Sequence, residues 1–199
     1  PSVGRSPNPR RPLMATLRRE TRETQIRLEI HREAGPIEVT PDDDFLTHML
    51  ETLARYAGLT LKLEATGDLR HHLVEDVAIA LGLALAREVP ARAERYGWAT
   101  VPMDDAVVRS ALDLGGRAWY EGRLPSPLYE HFLQSLAVNR GATLHFVVDR
   151  GRYRHHIVEA AVKATGLALR QALREGADVF STKGSVTLIW DDEDSDGEG

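Results

Sequence analysis

Two stretches decide how this chain is read: FLTHMLETLARYAGLTLKLEATGDLRHHLVEDVAIALGLAL at residues 45–85, and LYEHFLQSLAVNRGATLHFVVDRGRYRHHIVEAAVKATGLAL at residues 128–169. Laid over one another they pair His48 with His131, Leu53 with Leu136 and Gly58 with Gly141, at a separation of 83 residues. After one inserted residue the separation is 84, pairing His71 and His72 with His155 and His156, Glu75 with Glu159, and Gly82 with Gly166. Chance similarity between two helices matches Leu and Ala; it does not also match three His and a Glu. The chain therefore reads as two copies of one unit, a first βα repeat at 13–93 and a second at 94–190. An N-terminal extension, 1–12, and an acidic tail, 191–199, read as disordered from their composition.

Local patterns give both units the same order. LMATLRRETRETQIRLEI is expected to form one or two strands, with period-2 alternation at Ile26, Leu28 and Ile30. Asp44 is the expected N-cap of a helix reaching Ala57, and Gly58 its stop. LTLKLEA alternates as a strand. From His72 to Glu88 apolar residues fall on more than one helical face, which predicts deep burial. In the second unit the same reading places strands in TVPMDDAVVRSALDL, a helix near 128–139, a strand in ATLHFVV, a helix at 156–175 and a closing strand in SVTLIW. The fold class that follows is α+β: internally duplicated βα units, with two sheets sandwiching the helices.

Composition narrows the function. The 199 residues, 42% apolar and 28% charged, suffice for a sizeable core. No run approaches the roughly 18 apolar residues of a membrane span. Zero Cys excludes disulfides, thiolate nucleophiles and Cys-ligated zinc. The net charge of −5 is mostly terminal: residues 191–199 hold six acids and no base, and 1–12 hold three Arg and no acid, so the body alone carries −2. A near-neutral body with 6% aromatic residues argues against nucleic acid as a partner. A soluble, cytoplasmic protein with no nucleic-acid and no membrane partner is expected.

HHLVE and HHIVE carry the chemistry. On a helix the first His and the Glu, at i and i+4, share a face, and the second His and the Glu, at i and i+3, are also neighbours. The two His of each pair point about 100° apart, so one HHxxE can serve two ions. Two copies, with His48 and His131, supply six His and two Glu: three imidazoles and one carboxylate for each of two cations. Mixed N and O ligation suits Mn, Fe, Co, Ni or Zn. A lone HHxxE would read as surface histidines; its duplication, with the preceding His duplicated too, reads as a two-metal site. His31 has no counterpart and His145 pairs with Lys62, so both are taken as structural or exposed.

RETRETQI, FLTHML, GDLRHHLVED, RYGWATVPMDDA, LDLGGRAWY, HHIVEAAVKA and STKG occur in an order, spanning residues 15–190, that resembles the imidazoleglycerol-phosphate dehydratase family of histidine biosynthesis. The resemblance implies two related βα halves with helices between two sheets, and a homo-oligomer of 24 subunits with active sites at subunit interfaces. It also implies two Mn(2+) per active site, held by His48, His71, His72, Glu75, His131, His155, His156 and Glu159, the set the repeat supplies by itself. Glu23 matches a substrate-site glutamate and is counted, with Glu75 and Glu159, among the catalytic groups. Arg95, Arg117, Ser181 and Lys183 match phosphate-binding positions, with Thr182 in the same STKG stretch, and Lys163 matches the substrate-binding segment. The chain departs from the family at Thr47, where Asp is usual, at Thr52, and in a shortened segment before His71.

The reaction so implied removes water from the glycerol chain of imidazoleglycerol phosphate, where the departing proton is not next to a carbonyl. Two cations on the ring nitrogens would favour an electron-rich ring able to expel hydroxide, and the neighbouring C–H would then yield to a general base. Glu23 is the candidate base, although an exposed strand glutamate reads the same from sequence. Two rivals stay open: another dinuclear-metal phosphate-ester enzyme, and a non-catalytic, metal-stapled assembly protein.

Overall fold

The computed structural model describes residues 14–115 and 117–176. The tails, the SVTLIW strand and Ser181, Thr182 and Lys183 lie outside the described residues.

The first half opens with a hairpin, β1 (Ala15–Glu20) and β2 (Thr24–His31), whose register sets Leu17 opposite Leu28. Strict alternation buries Ile26, Leu28 and Ile30 on one face. Then come β3 (Ile37–Pro41), α1 (Asp44–Ala57), β4 (Thr60–Gly67) and α2 (Arg70–Arg87). The second half repeats the series as β5 (Tyr96–Met103), β6 (Ala106–Asp113), β7 (Trp119–Glu121), α3 (Pro127–Arg140), β8 (Thr143–Arg150) and α4 (Arg154–Ala172). Sheet order is β1-β2-β4-β3 in one half and β5-β6-β8-β7 in the other, the last pair parallel and the rest antiparallel in both. The fold is α+β with duplicated βα units.

The helices join the halves. α2 lies on the first sheet and α4 on the second, while α1 packs on α4 and α3 on α2. Each of α2 and α4 is thus covered by a sheet and by a helix of the other half, which is why apolar residues surround them: Val74, Val77, Ala78 and Leu81 in α2, Val158, Ala161, Val162 and Ala168 in α4. Gly82 and Gly166 set the closeness of these contacts. A Cβ at Gly82 would stand 2.7 Å from the Leu136 carbonyl oxygen of α3, and one at Gly166 would stand 2.8 Å from Tyr56 Cβ and 3.0 Å from the Leu53 oxygen of α1.

Several boundaries differ from the sequence expectation. The N-cap of α1 is Asp43, whose side chain accepts from Leu46 N–H at 2.6 Å; Asp44 is the first helical residue. Of consecutive acids, the one with extended backbone takes the cap. α2 and α4 start two residues earlier than expected, at Arg70 and Arg154, and α4 stops at Ala172. Strands β3 and β7 were not foreseen: one ends in Pro and the other has three residues, too short for alternation to register.

Candidate metal centre

The N-terminal ends of all four helices meet at one end of the molecule. Arg70, opening α2, holds the Asp43 cap of α1 at 2.5 Å. Arg154, opening α4, donates to Ser126 Oγ at the start of α3 at 2.9 Å. Phe45 of α1 meets Tyr129 of α3 edge-on, ring centres 4.8 Å apart, and leans on His155 at 5.5 Å. Every predicted ligand lies on this end, because each sits in the first two turns of its helix.

The helix pairing then sets a histidine of one half against a glutamate of the other. His48 Nε2 of α1 lies 3.3 Å from Glu159 Oε2 of α4, and His155 Nε2 lies 3.0 Å from the same oxygen. The rings of His48 and His155 are parallel within 4°. Among the described residues this trio is the one place where three such donors lie within 4.8 Å of one another. In the other pair His131 Nε2 of α3 lies 3.2 Å from Glu75 Oε1 of α2.

Glu159 is buried, yet polar partners face it. Its second oxygen, Oε1, accepts from Lys163 Nζ at 2.9 Å. Burial pushes the Glu159 carboxyl up, but hydrogen bonds from Lys163 and His48 outweigh it and hold the group below its ordinary value. Lys163 also lies 3.1 Å from Met103 Sδ and over the Tyr56 ring.

The remaining ligand candidates turn elsewhere. His71 packs edge-on against His72, ring centres 4.1 Å apart. His72 Nδ1 bonds Asp68 Oδ1 at 2.8 Å and lies 3.6 Å from Glu23 Oε2 in the β1–β2 turn. His156 Nδ1 bonds Asp105 Oδ1 at 2.6 Å, and its Nε2 lies 3.4 Å from Asp104 Oδ2, both in the β5–β6 turn. The second His of each pair thus faces a hairpin turn of its own half. The hydrogen bond that His72 donates to Asp68 raises the pKa of His72. That from His156, with the backbone N–H of Arg152, lowers Asp105 to about 2.

Two predicted phosphate ligands lie far from this end. The Arg95 backbone N–H bonds the Ala172 carbonyl, about 25 Å along α4 from His155 at roughly 1.5 Å per residue. The Arg95 guanidinium forks onto Asp113 at 2.6 and 3.1 Å. Arg117 is exposed, and its carbonyl accepts from Thr143 Oγ1 at 3.1 Å. Within one copy of the chain neither meets the imidazoles. His31 is structural as expected, its Nδ1 3.0 Å from the buried Glu88, and His145 is exposed. Sequence reasoning assigned no role to Asp68, Asp104 or Asp105; Asp68 stands close before the first HH pair in the sequence, whereas Asp105 is 51 residues from His156 and meets it only in the fold.

The family model described as imidazoleglycerol-phosphate dehydratase matches residues 42–169. The imidazoleglycerol-phosphate dehydratase of Pyrobaculum calidifontis is 47% identical over 183 residues, covering 84% of this chain and 97% of that protein. That of Archaeoglobus fulgidus is 41% identical over 179 residues, covering 86% and 98%. Among solved structures, IGPD from Pyrococcus furiosus superposes with a TM-score of 0.78 at 40% identity, covering 85% of this chain and all of that one. The Staphylococcus aureus imidazoleglycerol-phosphate dehydratase gives 0.75 at 29%, covering 82% and 100%.

Proposed function

The chain belongs to the imidazoleglycerol-phosphate dehydratase family, and from that premise we propose that its duplicated helix ends hold two divalent cations, manganese by preference, around the imidazole of the substrate. The activity is that of a hydro-lyase of histidine biosynthesis, eliminating water from D-erythro-imidazoleglycerol phosphate to give imidazoleacetol phosphate.

The donor set fits such ions. His48, His155 and Glu159 already converge, and Glu75 with His131 forms the matching beginning in the other helix pair. His71, His72 and His156 complete the proposed set of six imidazoles and two carboxylates. Bound there, the cations would supply Lewis acidity toward a nitrogen heterocycle.

The chain's own groups do the rest. Lys163 holds Oε1 of Glu159 and leaves Oε2 toward the imidazoles. Glu23, 3.6 Å from His72, is proposed as the proton carrier at the substrate carbon. Arg95 and Arg117, with Ser181, Thr182 and Lys183, form the proposed phosphate clamp. A small phosphate ester cannot span the distance from His155 to Arg95 within one copy. The clamp on one copy therefore serves the imidazole site of another, in a homo-oligomer of 24 subunits with its sites between subunits. No helix among the described residues is long and apolar enough to cross a membrane, in keeping with the proposed cytoplasmic location.

The convergence of His48, His155 and Glu159 across the two halves carries this proposal. Protein stripped of metal, reloaded with Mn(2+) and given imidazoleglycerol phosphate should form the ketone without releasing phosphate. Release of free phosphate would favour a dinuclear phosphoesterase, and metal uptake without turnover a stapled assembly. Lys183→Ala should weaken substrate binding while leaving native mass unchanged.

A further inference from the structure

Asp105 is held by main chain and imidazole together. It lies in the tight turn joining β5 to β6, and both of its oxygens are engaged. Oδ2 accepts the backbone N–H of Arg152 and, at 3.1 Å, that of Tyr153, the two residues just before α4. Oδ1 accepts from His156 Nδ1 at 2.6 Å. One carboxylate thus fastens the approach to α4 and the imidazole in its first turn. The Tyr153 ring, 5.4 Å from that of His156 and tilted 59° to it, closes the other side.

An ionised carboxylate only accepts hydrogen bonds, so His156 must carry a proton on Nδ1. In the neutral ring that a cation would need, the lone pair is then on Nε2, which lies 3.4 Å from Asp104 Oδ2. We propose that Asp105 is a positioning residue for metal binding: it fixes the tautomer and ring plane of His156, so that Nε2 is presented to a cation before the cation arrives. This deepens the two-metal reading above and rests on it.

Among the described residues the first half has no equivalent anchor. His72 bonds Asp68 through Nδ1, but Asp68 is exposed, lies four residues earlier on the same segment, and shares its one engaged oxygen with its neighbour Leu69 N–H at 2.7 Å. The fixed anchor therefore belongs to the second half, and losing it costs more there than losing Asp68 costs in the first.

The test titrates Mn(2+) into metal-free full-length protein against a chromophoric chelator. Asp105→Asn should weaken one of the two equivalents by about 10- to 100-fold. Asp68→Asn should weaken binding less. If Asp105 acts through His156, adding Asp105→Asn to a His156→Gln protein should change affinity by no more than about twofold. Should the two losses instead multiply, Asp105 acts by fastening the loop and the proposal fails. Unchanged affinity in Asp105→Asn, beside a wild type that binds two equivalents, overturns this inference alone. A wild type that binds no divalent cation overturns the metal reading and this inference with it. Nitrogen-15 shifts of His156 in metal-free wild type give a check that needs no variant: a proton on Nδ1 supports the proposal, and one on Nε2 rejects it.

Discussion

In the second half, Glu159 has a side chain 8% exposed, two imidazoles on one oxygen and Lys163 on the other. At the same place in the first half, Glu75 is 41% exposed and meets His131; the position corresponding to Lys163 is Ile79. The contrast continues outward. Arg70 grips a carboxylate, Asp43, where Arg154 grips a hydroxyl, Ser126. Asp76 of α2 is buried and bonds Arg19 and Thr24 of the hairpin at 2.6 and 2.5 Å, where α4 has Ala160. Duplication kept every proposed ligand and rebuilt what surrounds it. Residues that must match in both halves are those that would touch the ions; the supports are free to differ wherever each half finds its own way to hold a ligand still.

The largest expected effect tests whether the two glutamates do the same job in these surroundings. Glu159→Gln and Glu75→Gln should each lower dehydratase turnover by at least about 100-fold, above the usual cost of losing a hydrogen-bond partner to a ligand. They should part in metal-free stability. Glu159→Gln strips Lys163 of its buried partner and should cost about 1–3 kcal/mol in urea unfolding, against roughly 0.5 kcal/mol or less for the half-exposed Glu75→Gln. Equal stability losses would show that the burial difference has no energetic meaning.

Next comes the feature the halves share most closely. Gly82→Ala and Gly166→Ala should each cost about 1–3 kcal/mol by overpacking, because the new methyl would meet backbone or a Cβ at under 3 Å in both helix crossings. Both should also weaken Mn(2+) binding, since spreading α1 from α4 parts His48 from Glu159, and spreading α3 from α2 parts His131 from Glu75. A variant stable within 0.5 kcal/mol, by the same order-of-magnitude scale, would mean that the crossing yields and does not set the ligand spacing.

The helix caps follow. Asp43→Ala removes both the α1 cap and the Arg70 partner and should cost about 1–2 kcal/mol. Ser126→Ala, which makes no side-chain cap bond and loses a single neutral acceptor, should cost less, about 1 kcal/mol. Thermal unfolding of the two variants side by side gives the comparison.

What was legible in the sequence divides along physical lines. The proposed ligands were legible as a set because a repeat exposes itself, and because i, i+4 spacing puts His155 and Glu159 on one face before any fold is known. The burial of α2 and α4 was legible from apolar residues on several faces. Which helix covers which was not: periodicity reports how much of a surface is covered and carries no identity for the partner, so the crossing that brings His48 to Glu159 appears only in three dimensions. The supports at Asp68 and Asp105 were hidden for a related reason. Each is one acid in a polar turn, and what distinguishes it is the backbone N–H or imidazole it meets. The separation of Arg95 from the histidines was equally invisible, since a linear motif gives order along the chain and no distance across it.

The smallest effect is a difference in pH dependence between the two hairpin-facing histidines. In the first half the folded-state pKa of His72 is raised above its ordinary 6.5 by Asp68. Its contribution is therefore complete below about 6.5 and fades as pH rises through the raised value. In the second half the pKa of Asp105 falls from 3.8 to about 2. Its contribution is complete above about 3.8 and fades as pH drops toward 2. Thermal midpoints of metal-free protein should therefore lose the Asp68 dependence on the alkaline side of neutrality and the Asp105 dependence only in acid. Both groups face solvent and are screened, so the expected signature is a change in slope that disappears in Asp68→Asn above pH 6.5 and in Asp105→Asn between pH 4 and 2. If both variants flattened the same pH window, the two halves would hold their outward histidines by one mechanism, and the distinction drawn between Asp68 and Asp105 would have to be given up.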